Sequence, residues 1–145
     1  MSLLSQIIWG TVTLSACAVI HVSLVASIVP VLGKAAAHAD ARFPKLKVTI
    51  LVGLSFVMIV FAHTVQIWLW ALAFMYVDAL NTLESAVYFS LVTYTTLGYG
   101  DVTLQDDLRI FGAFASVTGL LTFGLSTAFL VGLVTRILPQ SFAGD

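Results

Sequence analysis

The sequence predicts an all-α membrane protein, because its apolar residues fall into three long stretches without charge. Of the 145 residues, 60% are hydrophobic and 9% are charged, which is more apolar surface than a soluble domain of this size can bury. No Asp, Glu, Lys or Arg occurs in residues 1–33, 48–77 or 110–135. Each stretch exceeds the ~20 residues that cross a ~30 Å hydrocarbon core as a helix. We therefore predict three spanning helices, at roughly 6–32, 47–77 and 108–136.

A basic segment joins the first two spans and predicts the orientation of the chain. Its charged residues are Lys34, Asp40, Arg42, Lys45 and Lys47. By the positive-inside rule this segment is cytoplasmic, which places the N-terminus outside and the C-terminus inside. Residues 35–43 have good helix propensity and would suit a helix on the inner membrane surface, but a short solvated loop is the preferred interpretation. Pro30 and Gly33 are expected to end the first helix.

The apolar segment at residues 81–96 is too short to span and predicts a re-entrant element. Asn81 can cap a helix, with Glu84 three residues later as in a capping box. A helix from Thr82 to about Tyr94 would be ~20 Å long, which is half to two-thirds of the membrane. The glycines that follow force the chain out of the helix, and non-helical backbone at this depth is tolerated only inside protein or lining water. A pore is the simplest structure that satisfies this condition.

The run that follows the short helix, Thr95-Thr96-Leu97-Gly98-Tyr99-Gly100-Asp101, resembles the selectivity filter of potassium channels. That family is itself the standard example of an ion filter built from backbone carbonyls. The resemblance covers roughly residues 47–137 and is specific at the filter. It implies K⁺ as the permeant ion and, because each chain holds one loop, a homotetramer. The implied K⁺ ligands are the hydroxyl and carbonyl of Thr96 and the carbonyls of Leu97, Gly98 and Tyr99, with Gly100 at the outer rim.

The conformation and the support of this filter follow partly from the residues and partly from the resemblance. Gly98 and Gly100 can take positive φ, which allows successive carbonyls to point the same way. The side chains of Thr96, Leu97 and Tyr99 are then expected to turn into the protein. Tyr88 and Phe89 match the family's aromatic pair on the pore helix, and Asp101 matches the aspartate that hydrogen-bonds such an aromatic. Thr95 supports the filter base, and the Tyr94 phenol needs a polar partner if it is buried.

The last span is rich in small residues, which in membrane helices usually indicates close packing. Gly119 lies within one residue of the family's gating-hinge glycine, and Gly124 is a second candidate for a hinge. Thr122, Leu125 and Phe129 follow helical spacing, so we expect them to line a central cavity, with Phe129 as an inner constriction.

His21 and His63 are the ionisable residues deep within the spans, and the sequence places them at comparable depth. One interpretation is a pair of neutral imidazoles that hydrogen-bond between helices. The other is a proton sensor, because histidine titrates near physiological pH. The first span carries no arginines at three-residue spacing, so a voltage sensor of the usual kind is not predicted.

These features predict three segments and one function. The segments are an N-terminal helix with its basic loop at 1–46, a pore domain at 47–138 and a short tail at 139–145. The predicted function is passive, potassium-selective conduction by a homotetramer in contact with membrane lipid, in a prokaryotic inner membrane. The alternatives are a weakly selective cation channel and a non-conducting regulatory subunit. No enzyme, nucleic-acid partner or soluble ligand domain is predicted.

Overall fold

The computed structural model describes residues 1–142, which fold into five α-helices and two short 3₁₀ helices. The α-helices are α1 (Leu3–Ser27), α2 (Val29–Arg42), α3 (Lys47–Tyr76), α4 (Leu83–Tyr94) and α5 (Arg109–Phe142). The 3₁₀ helices are Pro44–Leu46, before α3, and Asp106–Leu108, before α5. Three helical stretches are long and apolar enough to cross a membrane: Leu3–Arg42, Lys47–Tyr76 and Asp106–Ile137. The predicted all-α membrane protein with three spans is confirmed.

The basic segment after the first span is helical, so the preferred solvated loop was wrong. Pro30 lies in the first turn of α2, where a missing N–H is tolerated; it therefore starts a second helix, whereas the sequence suggested that it ends the first. The proline ring would clash with the carbonyl four residues earlier in a continuous helix, which explains the break at Ile28. Leu32 and Ala39 are buried as α2 packs against α3. This contact favours a helix over a solvated loop.

The short helix α4 lies against both α3 and α5, while α1 packs on the same two helices. An aromatic cluster fills the space between α3, α4 and α5. Phe74 contacts Phe89 at 5.1 Å and Phe111 at 5.7 Å between ring centroids, and Trp70 lies 5.4 Å from Phe111. Such tilted and edge-on pairs are each worth about 0.5–1.5 kcal/mol beyond the area that they bury. The cluster fixes α4 relative to the two spans beside it.

The caps of α4 and α5 set where these helices begin. Thr82 caps α4, because its hydroxyl accepts from the Ser85 amide at 3.2 Å; the predicted cap at Asn81 was off by one residue. At α5, the buried Gln6 side chain of α1 accepts from the amides of Ile110 and Phe111 at 3.1 and 3.3 Å. These are first-turn amides without an intrahelical acceptor. The first helix is thus tied to the start of the last one.

Candidate functional site

The loop after α4 has a backbone whose handedness alternates from residue to residue. Thr96, Gly98 and Gly100 have φ of 60°, 50° and 80°. The positive φ expected at Gly98 and Gly100 is present, and that of Thr96 was not anticipated. In an ordinary extended chain successive carbonyls point to opposite sides. Alternating the sign of φ turns them toward one side, which is the arrangement that a ladder of ion ligands requires.

Thr96 holds a strained conformation that the last turn of α4 stabilises. A β-branched residue at positive φ is a rare outlier and costs about 1–3 kcal/mol. The Thr96 amide donates to the Thr93 carbonyl at 3.0 Å. The amides of Leu97 and Gly98 both donate to the Val92 carbonyl, at 2.9 and 3.0 Å. The end of the helix therefore determines the shape of the loop.

The C-terminal end of α4 is directed at the base of the loop. Thr95 caps this end, and its hydroxyl donates to the Leu91 carbonyl at 2.8 Å. A helix C-terminus carries a partial negative charge, equivalent to about half an elementary charge, which favours a nearby cation. The end of α4 and the loop after it thus present partial negative charge in one place.

A hydrogen bond joins Tyr88 of α4 to Asp101, the residue that follows the loop. The Tyr88 hydroxyl donates to Asp101 Oδ2 at 2.6 Å, and the Val102 amide donates to Asp101 Oδ1 at 3.1 Å. The hydrogen bond from Tyr88 lowers the pKa of Asp101 below its ordinary value, and the same bond raises the pKa of Tyr88. The contact implied by the resemblance is therefore present within one chain, and it closes the segment from α4 to the end of the loop.

The side chains of Leu97 and Tyr99 do not pack into their own chain. They are 56% and 68% exposed. A cavity of about 280 Å³ lies between the loop and α5, bounded by Phe89, Gly100 and Gly112 among others. The expected packing partners for these side chains are absent from the described residues of a single chain.

Gly119 serves a close helix contact. A Cβ at this position would lie 1.9 Å from the carbonyl oxygen of Tyr94, so only glycine allows α5 to approach the end of α4. The resemblance suggested a hinge at Gly119, and the structure gives the residue a packing role. Gly124, the second candidate, has open space around it.

Two of the expected cavity residues lie elsewhere. Thr122 is buried, at 2% exposure, and its hydroxyl accepts from Tyr94 at 2.7 Å, so it does not share the exposed face of Leu125. Phe129 packs against the cluster of Ile28, Leu32, Leu51 and Ile137 at the opposite end of the molecule. This correction arises because helical spacing shows which residues share a face but not which neighbour covers it.

His21 and His63 meet in a buried polar cluster behind the loop. Their ring centroids are 5.0 Å apart, and Ser126 of α5 lies between them, 3.0 Å from His21 Nε2 and 3.2 Å from His63 Nε2. Sequence reasoning anticipated that the two imidazoles share a depth and that a buried Tyr94 needs a partner. It missed Ser126, which the sequence shows only as one small residue among many in the last span.

The similarity to known proteins covers the segment that contains α4 and the loop after it. The model of a family described as "Ion channel" matches residues 63–136, about half of the chain. A protein called A-type voltage-gated potassium channel KCND3 matches from Homo sapiens and from Rattus norvegicus, each 32% identical over 66 residues. Those residues are 45% of this chain and 10% of each relative, so the chain spans about a tenth of their length. No solved structure matches. The matched segment contains α4, the loop after it and most of α5. The chain belongs to the ion-channel family, and its resemblance to potassium-channel pore domains is confirmed.

Proposed function

We propose that this chain is one subunit of a potassium-selective channel, in which four copies place residues 95–100 around a common axis. The observation that carries the proposal is the alternating backbone of Thr96, Gly98 and Gly100 within a Thr-Thr-Leu-Gly-Tyr-Gly-Asp run. Backbone carbonyls and the Thr96 hydroxyl would replace the water that K⁺ loses on entry. K⁺ is the permeant substrate, and the membrane is where the protein acts.

Charge supports a cation pathway. The connections around the filter carry several exposed carboxylates, contributed by Asp78, Glu84, Asp101, Asp106 and Asp107, against Arg109. Negative charge around an entrance raises the local concentration of cations. The basic residues lie mainly between α1 and α3, so we infer that the filter end faces outward and the α2 end faces the cytoplasm.

The exposure of apolar side chains beside the filter supports assembly from several copies of the chain. Large apolar side chains beside the filter, Leu97 and Tyr99, are more than half exposed in the single chain, and one loop supplies only one side of an ion cage. Neighbouring copies would cover these side chains and complete the cage. We further propose residues 47–138 as the conducting unit, with α1 as an added support.

The test is the reversal potential of purified protein in a planar bilayer with K⁺ on one side and Na⁺ on the other. We expect a reversal near the K⁺ equilibrium potential. Gly98→Ala should abolish this selectivity, because alanine is strained at φ 50° although open space surrounds the site. Gly53→Ala is the matched control, because this glycine of α3 also has open space but no positive φ.

Other outcomes separate the alternatives. A wild-type reversal near zero indicates a weakly selective cation channel. An assembled protein that carries no current at any voltage or pH indicates a non-conducting regulatory subunit.

A further inference from the structure

Six buried side chains from four helices form one continuous set of hydrogen bonds, called the polar relay below. Its members are His21 of α1, His63 and Gln66 of α3, Tyr94 of α4, and Thr122 and Ser126 of α5. None is more than 8% exposed. The relay connects the first helix, which lies outside the matched family segment, to the residue immediately before the filter threonines.

The hydrogen bond from Gln66 to Ala62 determines which atoms donate and which accept in the first half of the relay. Gln66 Nε2 lies 3.2 Å from the Ala62 carbonyl, which can only accept, so this atom is the amide nitrogen. The same nitrogen lies 2.6 Å from His21 Nδ1, which must then accept. The proton of the neutral His21 ring is therefore on Nε2, and it is donated to Ser126 Oγ at 3.0 Å.

The hydrogen bond from Thr122 to Thr118 independently determines which atoms donate and which accept in the second half. The Thr122 hydroxyl donates to the Thr118 carbonyl at 2.8 Å, so it accepts from the Tyr94 hydroxyl at 2.7 Å. Tyr94 in turn accepts from His63 Nδ1 at 2.8 Å. The remaining nitrogen, His63 Nε2, is then an acceptor for the Ser126 hydroxyl at 3.2 Å. Ser126 therefore accepts from His21 and donates to His63, so the two halves of the relay are compatible. Every hydrogen bond in the relay has one donor and one acceptor when both imidazoles are neutral.

Tyr94 is held at two points, which makes it the residue through which the relay acts. Its hydroxyl lies inside the relay, and its carbonyl packs against Gly119 of α5. The next two residues, Thr95 and Thr96, begin the filter. A displacement of Tyr94 therefore displaces the strained Thr96 directly.

We propose that the polar relay is a positioning network through which α1 holds the filter in its selective shape, and that proton uptake by His21 or His63 disrupts it. This inference rests on the proposed function. The nitrogens able to accept a proton, His21 Nδ1 and His63 Nε2, already receive a donor each. An added proton brings two donors together. The Gln66 Oε1 atom has no partner in the described residues, but turning the amide to offer it to His21 gives up the bond to Ala62.

The surroundings add no charged group that would favour the imidazolium form. The other titratable groups on the facing elements are Cys17 of α1, which is buried beside the cluster, and Tyr94 of α4. The parts of α3 and α5 around the relay contribute only Gln66 and hydroxyl groups, since residues 48–77 and 110–135 carry no Asp, Glu, Lys or Arg. Selectivity should therefore be high when both imidazoles are neutral and fall on acidification.

The experiment measures the K⁺-to-Na⁺ permeability ratio of the reconstituted protein at about pH 7.5 and about pH 4.5, since burial without a counter-charge opposes the imidazolium form. Tyr94→Phe and Ser126→Ala each remove one hydroxyl and keep most of the packing. Loss of one buried hydrogen bond predicts a fall in the ratio of about two- to tenfold. Because the two residues act in one relay, the double variant should lose no more than the larger single effect.

Two control variants remove the same chemical groups, a hydroxyl and an imidazole, from positions outside the relay. Thr127→Val removes the neighbouring hydroxyl of α5, which is exposed and donates only to the Phe123 carbonyl within its own helix, and should leave the ratio unchanged. His38→Ala removes the exposed imidazole of α2 and should keep the wild-type fall between the two pH values. Ser126→Ala should give a low ratio at both.

The outcomes separate this inference from the proposed function. A potassium-selective wild type whose ratio is unchanged by Tyr94→Phe and Ser126→Ala overturns the relay and leaves the function standing. Lower thermal unfolding midpoints with an unchanged ratio would also overturn the relay and would make the cluster purely structural. A wild type without K⁺ selectivity refutes both.

Discussion

At the scale of single residues, Gly119 determines how closely α5 approaches the end of α4. The contact is between backbone atoms, since a Cβ at this position would lie 1.9 Å from the Tyr94 carbonyl oxygen, and a backbone cannot move aside as a flexible side chain does. Gly119→Ala should therefore destabilise the fold by about 1–3 kcal/mol, as overpacking does, and reduce selectivity because Tyr94 moves. Thermal unfolding in detergent measures the first effect.

Gly132→Ala is the control on the same helix, because Gly132 has open space around it. Alanine there should stabilise α5 by about 0.5–1 kcal/mol through its helix propensity. Equal effects at the two glycines would contradict the packing role of Gly119.

A second residue-scale prediction concerns acid and the pair Tyr88–Asp101. The folded pKa of Asp101 is depressed by the hydrogen bond from Tyr88. The pair therefore contributes its full stability above the ordinary carboxyl value of 3.8 and loses it as pH falls through the depressed value. Tyr88→Phe should raise the pKa of Asp101 toward 3.8, which NMR titration of the carboxyl carbon detects. An unchanged midpoint would mean that the bond is not formed in solution.

This pair also separates two pH effects. Because the pKa of Asp101 lies below 3.8, this carboxyl remains mostly ionised at about pH 4.5, and its protonation does not explain a loss of selectivity at that pH. A loss of selectivity there would have to come from another part of the protein, such as the polar relay.

At the scale of secondary-structure elements, α1 stabilises α5 through Gln6. This side chain supplies an acceptor for two amides at the start of α5, as a capping residue does within its own helix. Gln6→Ala should lower the free energy of unfolding by about 1 kcal/mol. Gln105→Ala is the control, because Gln105 immediately precedes the 3₁₀ turn before α5 and its side chain makes no capping bond. Equal losses in the two variants would refute the capping role.

The elements that the sequence predicted well are those whose cause is local. Three charge-free stretches predicted the spans, and the short helix predicted at Thr82 to about Tyr94 lies at Leu83–Tyr94. The helix at Val29–Arg42 was not preferred, since its stability depends on Leu32 and Ala39 packing against α3, a tertiary contact. The cap was misplaced because Asn81 and Thr82 are both good caps and sequence does not choose between neighbours.

In the candidate site too, features set by residue type could be predicted, and features set by tertiary contacts could not. The positive φ at Gly98 and Gly100 could be predicted from residue type, whereas that of Thr96 depends on hydrogen bonds to the end of α4. The polar relay could be foreseen only as two histidines at similar depth. Its members come from four helices separated by up to 105 residues, and no local pattern in the sequence records which of them meet.

At the scale of the whole molecule, the charge layout gives the protein two different ends. Lys34, Arg42 and Lys45 cluster at the α2 end, and carboxylates dominate the connections on either side of the filter. Because basic connections stay in the cytoplasm, we expect the acidic filter end to face outward. The N-terminus lies at that end, where Met1 pairs with Asp107.

Thiol labelling of intact cells with an impermeant maleimide tests this orientation. Asn81→Cys places a thiol in the exposed connection between α3 and α4, and Ala37→Cys places one on the exposed face of α2. Wild-type protein is the background, because its single cysteine, Cys17, is 1% exposed. Asn81→Cys should be labelled at once and Ala37→Cys only after permeabilisation. The reverse pattern would turn the acidic mouth to the cytoplasm. The carboxylates would then concentrate K⁺ at the inner entrance, and the pH that acts on the filter end would be that of the cell interior.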